Sequence, residues 1–279
     1  MAARPITDHS RLSINTATTR EQWTLAQAID GYARLGVAGI SPWRDQIAEM
    51  GLANAARAIR DTGLAVTGVC RGGMFPWADT AGRQAMLDDN RKAIEEAATL
   101  SAQCLVLVVG GLPKGSKDLA GAHAMVEEAI ATLEPEARAA GVKLAIEPLH
   151  PMYAADRACV NTLAHALDIC DRVGGDLGVA VDVYHLWWDR DLKDQIARAG
   201  KARLHAFHVC DWLVPTRDLL LDRGMMGDGV IDIPLIRSWV EAAGYDGFHE
   251  VEIFSALDWW TRLAEEVVET CKQRCLTAV

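Results

Sequence analysis

Four side chains able to hold a metal ion or move a proton each close an apolar run of the chain. Glu147 stands in LAIEPLH, Asp182 in VAVDVYH with His185 three residues on, His208 in LHAFHVCD, and Glu252 in HEVEIF, two residues after Glu250. Taken singly, an acid after such a run is an ordinary helix cap or solvated loop residue, and a lone histidine is an ordinary hydrogen-bonded structural residue. Four together, each behind residues that must be buried, are costly unless they pair or bind a cation. Three carboxylates and one imidazole are hard, oxygen-rich donors. They suit Mn2+, Mg2+ or Co2+, with positions left open for substrate oxygens. No cysteine joins the set, which argues against a structural zinc.

Something must bring the four runs to one place. Short apolar or β-branched segments at residues 11–16, 37–41, 64–70, 103–110, 142–148, 177–183, 203–210 and 247–253 read as strands. They alternate with amphipathic segments at 21–35, 44–62, 82–100, 118–140, 161–172, 189–200, 233–243 and 258–272, which read as helices. Gly36, Gly63, Gly141, Gly200 and Gly244 close helices, since a left-handed glycine ends a helix and releases the chain into a strand. Eight βα units of roughly 35 residues each, with no linker or composition break between them, define an α/β protein. The pattern predicts a single (β/α)8 TIM barrel over residues 1–279. A doubly wound sheet would bring a nucleotide loop. The first strand instead runs into NTATTREQW, with neither GxGxxG nor GxxxxGK[ST]. In a parallel barrel the carboxyl ends of all strands face one mouth, and Glu147, Asp182, His208 and Glu252 all lie at such ends.

The 279 residues carry 28 Lys+Arg against 38 Asp+Glu, a formal charge of −10, with half the residues hydrophobic. That balance argues against a nucleic-acid partner, which needs a basic face. No apolar stretch approaches the roughly 18 residues of a membrane span, and the first twenty residues lack the apolar core of a secretory signal. The seven cysteines are scattered and form no CxxC pair, so neither a disulfide framework nor a thiolate zinc site is expected. The expectation is a reduced, cytoplasmic protein acting on a small molecule, with homo-oligomerisation left open.

Five segments in order carry a family likeness: IEPL (146–149), VDVYH (181–185), FHVCD (207–211), RGMMGDG (223–229), and GYDG (244–247) leading into VEI (251–253). Together they cover most of the chain. They resemble the sugar isomerase/epimerase superfamily with the xylose-isomerase-like barrel, which includes ketose 3-epimerases, hydroxypyruvate isomerase, inosose isomerases and dehydratases, and endonuclease IV. The resemblance implies one divalent ion held by Glu147, Asp182, His208 and Glu252, and substrate contacts from His185 and Arg223. Glu250, on the same face of its strand as Glu252 but deeper, is then an interior partner of the site.

The implied activity is a metal-dependent sugar isomerase or epimerase, in which Glu147 and Glu252 move a proton through an ene-diolate whose charge the ion stabilises. Proton return to the opposite face of the same carbon epimerises; return to the neighbouring carbon isomerises. The same likeness admits a dehydratase of a keto-polyol such as an inosose. An endonuclease-IV-like phosphoesterase fits worse. That class needs histidines at strands two to four, which here end in SPW, CRG and GGL.

Two departures bear on substrate. Tyr153 stands six residues after Glu147, where the ketose epimerases have a second Glu, and Arg223 is reached through a longer loop, residues 213–222. The pocket thus loses a charge and gains an aromatic face. The expected substrate is an unphosphorylated sugar, a deoxy-sugar or a cyclic polyol ketone rather than the usual ketohexose. Of Trp43, Trp77, Trp187, Trp188 and Trp212, all after strands, one or two are expected to line the pocket and the rest to pack the rim. Arg44 and Arg71 read first as surface salt-bridge partners and second as an anion site. His9, His123, His165 and His249 read as structural, while His150 and His205 stay unassigned.

Overall fold

The computed structural model describes residues 5–279. Its strands are β1 (Leu12–Asn15), β2 (Gly39–Ser41), β3 (Ala65–Val66), β4 (Val69–Gly73), β5 (Leu105–Val108), β6 (Leu144–Ile146), β7 (Gly178–Asp182), β8 (Leu204–Val209), β9 (Asp211–Trp212), β10 (Arg223–Gly224) and β11 (His249–Val251). β9 and β10 form a short antiparallel ribbon. The others pair in the order β3-β2-β1-β11-β8-β7-β6-β5-β4, all parallel. The two ends of this sheet, β3 and β4, are consecutive in the chain, so the sheet curls into a nearly closed barrel. The expected third strand, 64–70, is interrupted between Val66 and Val69: β3 pairs with β2 and β4 with β5, while the Gln103 N–H still donates to Val66 O and the Cys70 N–H to Pro42 O across the gap.

The helices are α1 (Leu25–Arg34), α2 (Arg44–Met50), α3 (Leu52–Thr62), α4 (Thr80–Thr99), α5 (Leu119–Ala139), α6 (Leu163–Val173), α7 (Val183–Leu186), α8 (Leu192–Arg203), α9 (Ile233–Ala242) and α10 (Ala264–Ala278). The helix expected over 44–62 is two helices, because Gly51 sits at φ +84° and ψ 129° between them. Gly200, at φ +56°, breaks α8 where a closing glycine was expected, and one more turn follows it. The seven cysteines are buried and free.

Two packed layers position the site. Apolar side chains such as Leu12, Ile14, Ile40 and Val179 fill the space between strands and helices. Inside the barrel the residues are small: Cys70, Cys104, Val106, Ala145, Ala180 and Ala206 form a separate cluster. Residues two apart on a strand share a face. Ala145, Ala180 and Ala206 therefore point inward one step below Glu147, Asp182 and His208.

Candidate metal centre and substrate cavity

Strand register sets the neighbours. Asp182 pairs across to His208, and His208 to Glu250. Just beyond their strands, the Glu147 N–H donates to Leu107 O at 3.1 Å and the Glu252 N–H to Val209 O at 3.2 Å, so both acids continue the ladder. One donor atom from each of Glu147, Asp182, His208 and Glu252 lies within 4.8 Å of all the others, and all four residues are buried. His208 Nδ1 is 2.9 Å from Glu147 Oε1. Two donors about 2.1 Å from one ion and at right angles to each other stand about 3 Å apart, so this spacing is that of neighbouring ligands. The set fits a divalent cation.

The residues beneath hold the donors in place. Asn15 Nδ2 donates to Glu250 Oε1 at 2.9 Å and to Glu252 Oε1 at 3.0 Å. Asn15 Oδ1 in turn accepts from Trp43 Nε1 at 2.7 Å and from the Ala17 N–H at 3.0 Å. Thr67 Oγ1 donates to Glu250 Oε2 at 2.7 Å. Burial, opposed by Arg223 and reinforced by Glu147, lifts the carboxyls of Asp182 and Glu252 above the usual range. Burial also works against charge on His208, yet the carboxylates of Glu250 and Glu147 on its two sides hold its pKa well above an ordinary histidine's. A cation among these groups would relieve the carboxylate crowding.

Arg223 spans the site. Its Nη1 donates to Asp182 Oδ2 at 3.2 Å and to Glu252 Oε2 at 3.1 Å, and its Nη2 lies 3.2 Å from His185 Nε2. The guanidinium lies 4.5 Å from the centre of the Tyr184 ring and 5.0 Å from that of Phe254. Burial and the Arg223 charge push His185 well below its ordinary pKa, so its ring is neutral, and its Nδ1 accepts from the His150 N–H at 3.2 Å.

A cavity of about 330 Å3 opens on this cluster, with Glu147, His185, Arg223 and Glu252 at its polar end. Trp43, Phe254, Tyr153, Leu149, Val106 and Val108 supply apolar wall, and Arg71, Asp156 and Arg157 also border it. The six residues singled out as ligands or substrate contacts are thus gathered at one end of the barrel. Tyr153 does present a ring to the cavity, while its hydroxyl donates to Leu219 O at 2.6 Å. Of the five loop tryptophans Trp43 borders the cavity; Trp212 packs on Tyr184 and His150 instead. Arg44 is ion-paired with Asp89 and Glu96, as a surface partner should be. Arg71 is not: it borders the cavity. Among the histidines, His9 bonds to Lys272 O, His123 to Cys159 O and His205 to Asp176 O, all structural contacts.

Sequence reasoning missed Asn15, Phe254 and Arg157. Phe254 was within reach of it, since strand alternation from Glu252 points inward again two residues on. Asn15 caps the turn that follows β1, and nothing local marks Arg157.

Such an arrangement of acids and histidine at the carboxyl ends of a parallel barrel places the protein in a known class. The chain belongs to the xylose isomerase-like TIM barrel family, whose sequence model matches residues 29–273. Among solved structures it is 60% identical to protein SMc04130 from Sinorhizobium meliloti 1021, with a TM-score of 0.95 over 96% of this chain and 98% of that one. It shares its fold with the IolI protein, solved with a bound zinc atom, at 22% identity and a TM-score of 0.80, covering 94% of this chain and 95% of that one. D-psicose 3-epimerase, solved in the presence of D-fructose, is similar at 19% identity and a TM-score of 0.77, covering 96% and 100%. No curated protein matches the chain in sequence. No helix among the described residues is long and apolar enough to cross a membrane.

Proposed function

We propose that this protein is a divalent-metal-dependent isomerase or epimerase of a sugar or sugar-like polyol. The observation that carries the reading is the buried knot of Glu147, Asp182, His208 and Glu252, with donor atoms within 4.8 Å of one another beside a cavity of about 330 Å3. These four residues would hold the ion; Mn2+, Mg2+ and Co2+ suit the oxygen-rich set, and the zinc in the IolI structure adds a fourth candidate. When bound, the ion supplies Lewis-acid polarisation of a carbonyl and its neighbouring hydroxyl.

The chain's own groups do the rest. Glu147 and Glu252 border the cavity from different strands, so one can take the proton α to the carbonyl and the other can return it. Asn15 and Arg223 hold the two oxygens of Glu252 from separate sides, which fixes its carboxyl plane. The Nε of Arg223 is buried without a hydrogen-bond partner, which leaves a donor for a substrate oxygen. Neutral His185 can hydrogen-bond a hydroxyl without adding charge. Free, buried cysteines accord with a reducing, cytoplasmic setting.

Two measurements on the full-length protein test the reading: metal content after loading with Mn2+, and solvent deuterium incorporation by NMR across a panel of ketoses, aldoses and their acids. One ion per chain, and deuterium entering at the carbon α to a carbonyl, are expected. Protein that retains no metal and exchanges no carbon-bound proton on any panel member is not such an enzyme. Loss of water from the substrate would move it to the dehydratases.

A further inference from the structure

We propose that the substrate carries a carboxylate, held by Arg71 and Arg157 at the end of the cavity away from the acid knot. This rests on the isomerase reading and narrows its substrate class.

Most arginines in this acidic chain are ion-paired; even half-buried Arg44, next to the same strand, is bound to both Asp89 and Glu96. Arg71 and Arg157 are exceptions, and both border the cavity. Arg71, in β4, is partly buried, yet among the described residues its guanidinium makes no hydrogen bond and no ion pair. Arg157 stands exposed at the rim, where its guanidinium lies 5.6 Å from the centre of the Tyr153 ring and has no acidic partner. Two unpaired guanidiniums facing one cavity repel each other and await an anion, and their planar donor forks match the two oxygens of a carboxylate or phosphate.

The charge count separates these two oxyanions. Asp156 also borders the cavity, so two cations and one carboxylate leave one positive charge at this end. One positive charge balances a carboxylate and under-balances a phosphate dianion. Tyr153 lies between the two ends, its ring against His185 at 5.9 Å on one side and under Arg157 on the other. The occupant is then a sugar acid: carbonyl and hydroxyl toward Glu147 and Glu252, carbon chain along Tyr153 and Leu149, carboxylate toward the arginines. This keeps the unphosphorylated substrate expected from Tyr153 and adds an acid group, because Arg71 borders the cavity rather than pairing with a surface acid.

Calorimetry on the full-length, Mn2+-loaded protein tests this with D-glucuronate, D-glucose and D-glucose 6-phosphate. The uronate should bind at least about tenfold more tightly than the neutral sugar, the size of a charge-assisted hydrogen bond. Arg71→Gln and Arg157→Gln should each remove most of that preference, read as the ratio of uronate to D-glucose affinity in the same variant. Arg157 is exposed, so its variant keeps the test alive even if Arg71→Gln fails to fold. Equal binding of acid and neutral sugar, or a preference untouched by both variants, overturns the proposal; tighter binding of the phosphate ester than of the uronate overturns the carboxylate assignment. The readout needs no turnover. An intact acid preference in a protein that exchanges no deuterium would sink the isomerase reading and leave the anion site standing.

Discussion

His208 Nε2 lies 3.5 Å from Glu250 Oε1, on the opposite side of the ring from the nitrogen that faces the acid knot. Glu250 is itself anchored by Asn15 and Thr67, so its charge is held beside Nε2 and favours a proton on that nitrogen, although no hydrogen bond joins the two here. Glu250→Gln keeps the size and one acceptor but loses the charge. Its metal affinity should fall about ten- to a hundredfold, the usual cost of losing such a partner, with little change in melting temperature. Titration of the metal-stripped variant with Mn2+, followed by electron paramagnetic resonance, checks this; wild-type affinity would remove Glu250 from the site.

Glu147→Gln and Glu252→Gln each delete a donor oxygen and a proton-transfer group at once. Turnover should fall by at least about 10³-fold in each, with an unchanged far-ultraviolet circular dichroism spectrum. Near-normal solvent deuterium exchange in either variant would show that the proton moves through another group.

The barrel was legible because its strands are buried on both faces and leave continuous apolar runs between closing glycines. The break between Val66 and Val69 was not, since it goes with a shift of register against β5 between Val69 and Gly72, which no local pattern records. Gly51 does carry a signal, a glycine inside a helical run. At the site, Glu147, Asp182, His208 and Glu252 announced themselves as costly residues behind apolar runs. Arg71 was visible but misassigned, because whether an arginine has an acidic neighbour is decided by tertiary packing. Arg157 and Asn15 reach the cavity and the acids through loop conformation and cross-strand geometry, which sequence spacing does not encode.

Arg223 uses Nη1 for Asp182 and Glu252 together and points Nη2 at His185, while Tyr184 and Phe254 flank its plane. A lysine can supply the charge but neither the fork nor the flat face. Arg223→Lys should lower kcat/KM by about ten- to a hundredfold. The loss should fall mainly on kcat if the fork acts on developing oxyanion charge, and mainly on KM if it only binds substrate. Steady-state kinetics with the best substrate of the deuterium screen distinguishes the two, and an unaltered kcat/KM would show that charge alone suffices.

His249 sits buried at the far end of the barrel, its Nε2 3.7 Å from Glu241, with both ring nitrogens lacking a hydrogen-bond partner. Burial, with the charges of Arg11 and Arg237 adding to it, drops its pKa from 6.5 to about 3. Glu241 offsets that charge only in part, since Arg11 and Arg237 both pair with it. The unfolded chain therefore takes up a proton here below pH 6.5 and the folded one does not until about pH 3. Within that window the unfolded state binds more protons, so this residue makes stability fall as pH drops, by up to about 1.4 kcal/mol per pH unit. Above pH 6.5 it contributes no pH dependence. His249→Phe keeps a ring beside Phe207, whose centre is 6.0 Å away, and removes the proton site. Urea midpoints measured between pH 8 and pH 4.5 should show the variant losing less stability than the wild type below pH 6.5, with parallel curves above it. Curves that stay parallel through the acid limb would mean that His249 takes up its proton without unfolding the barrel.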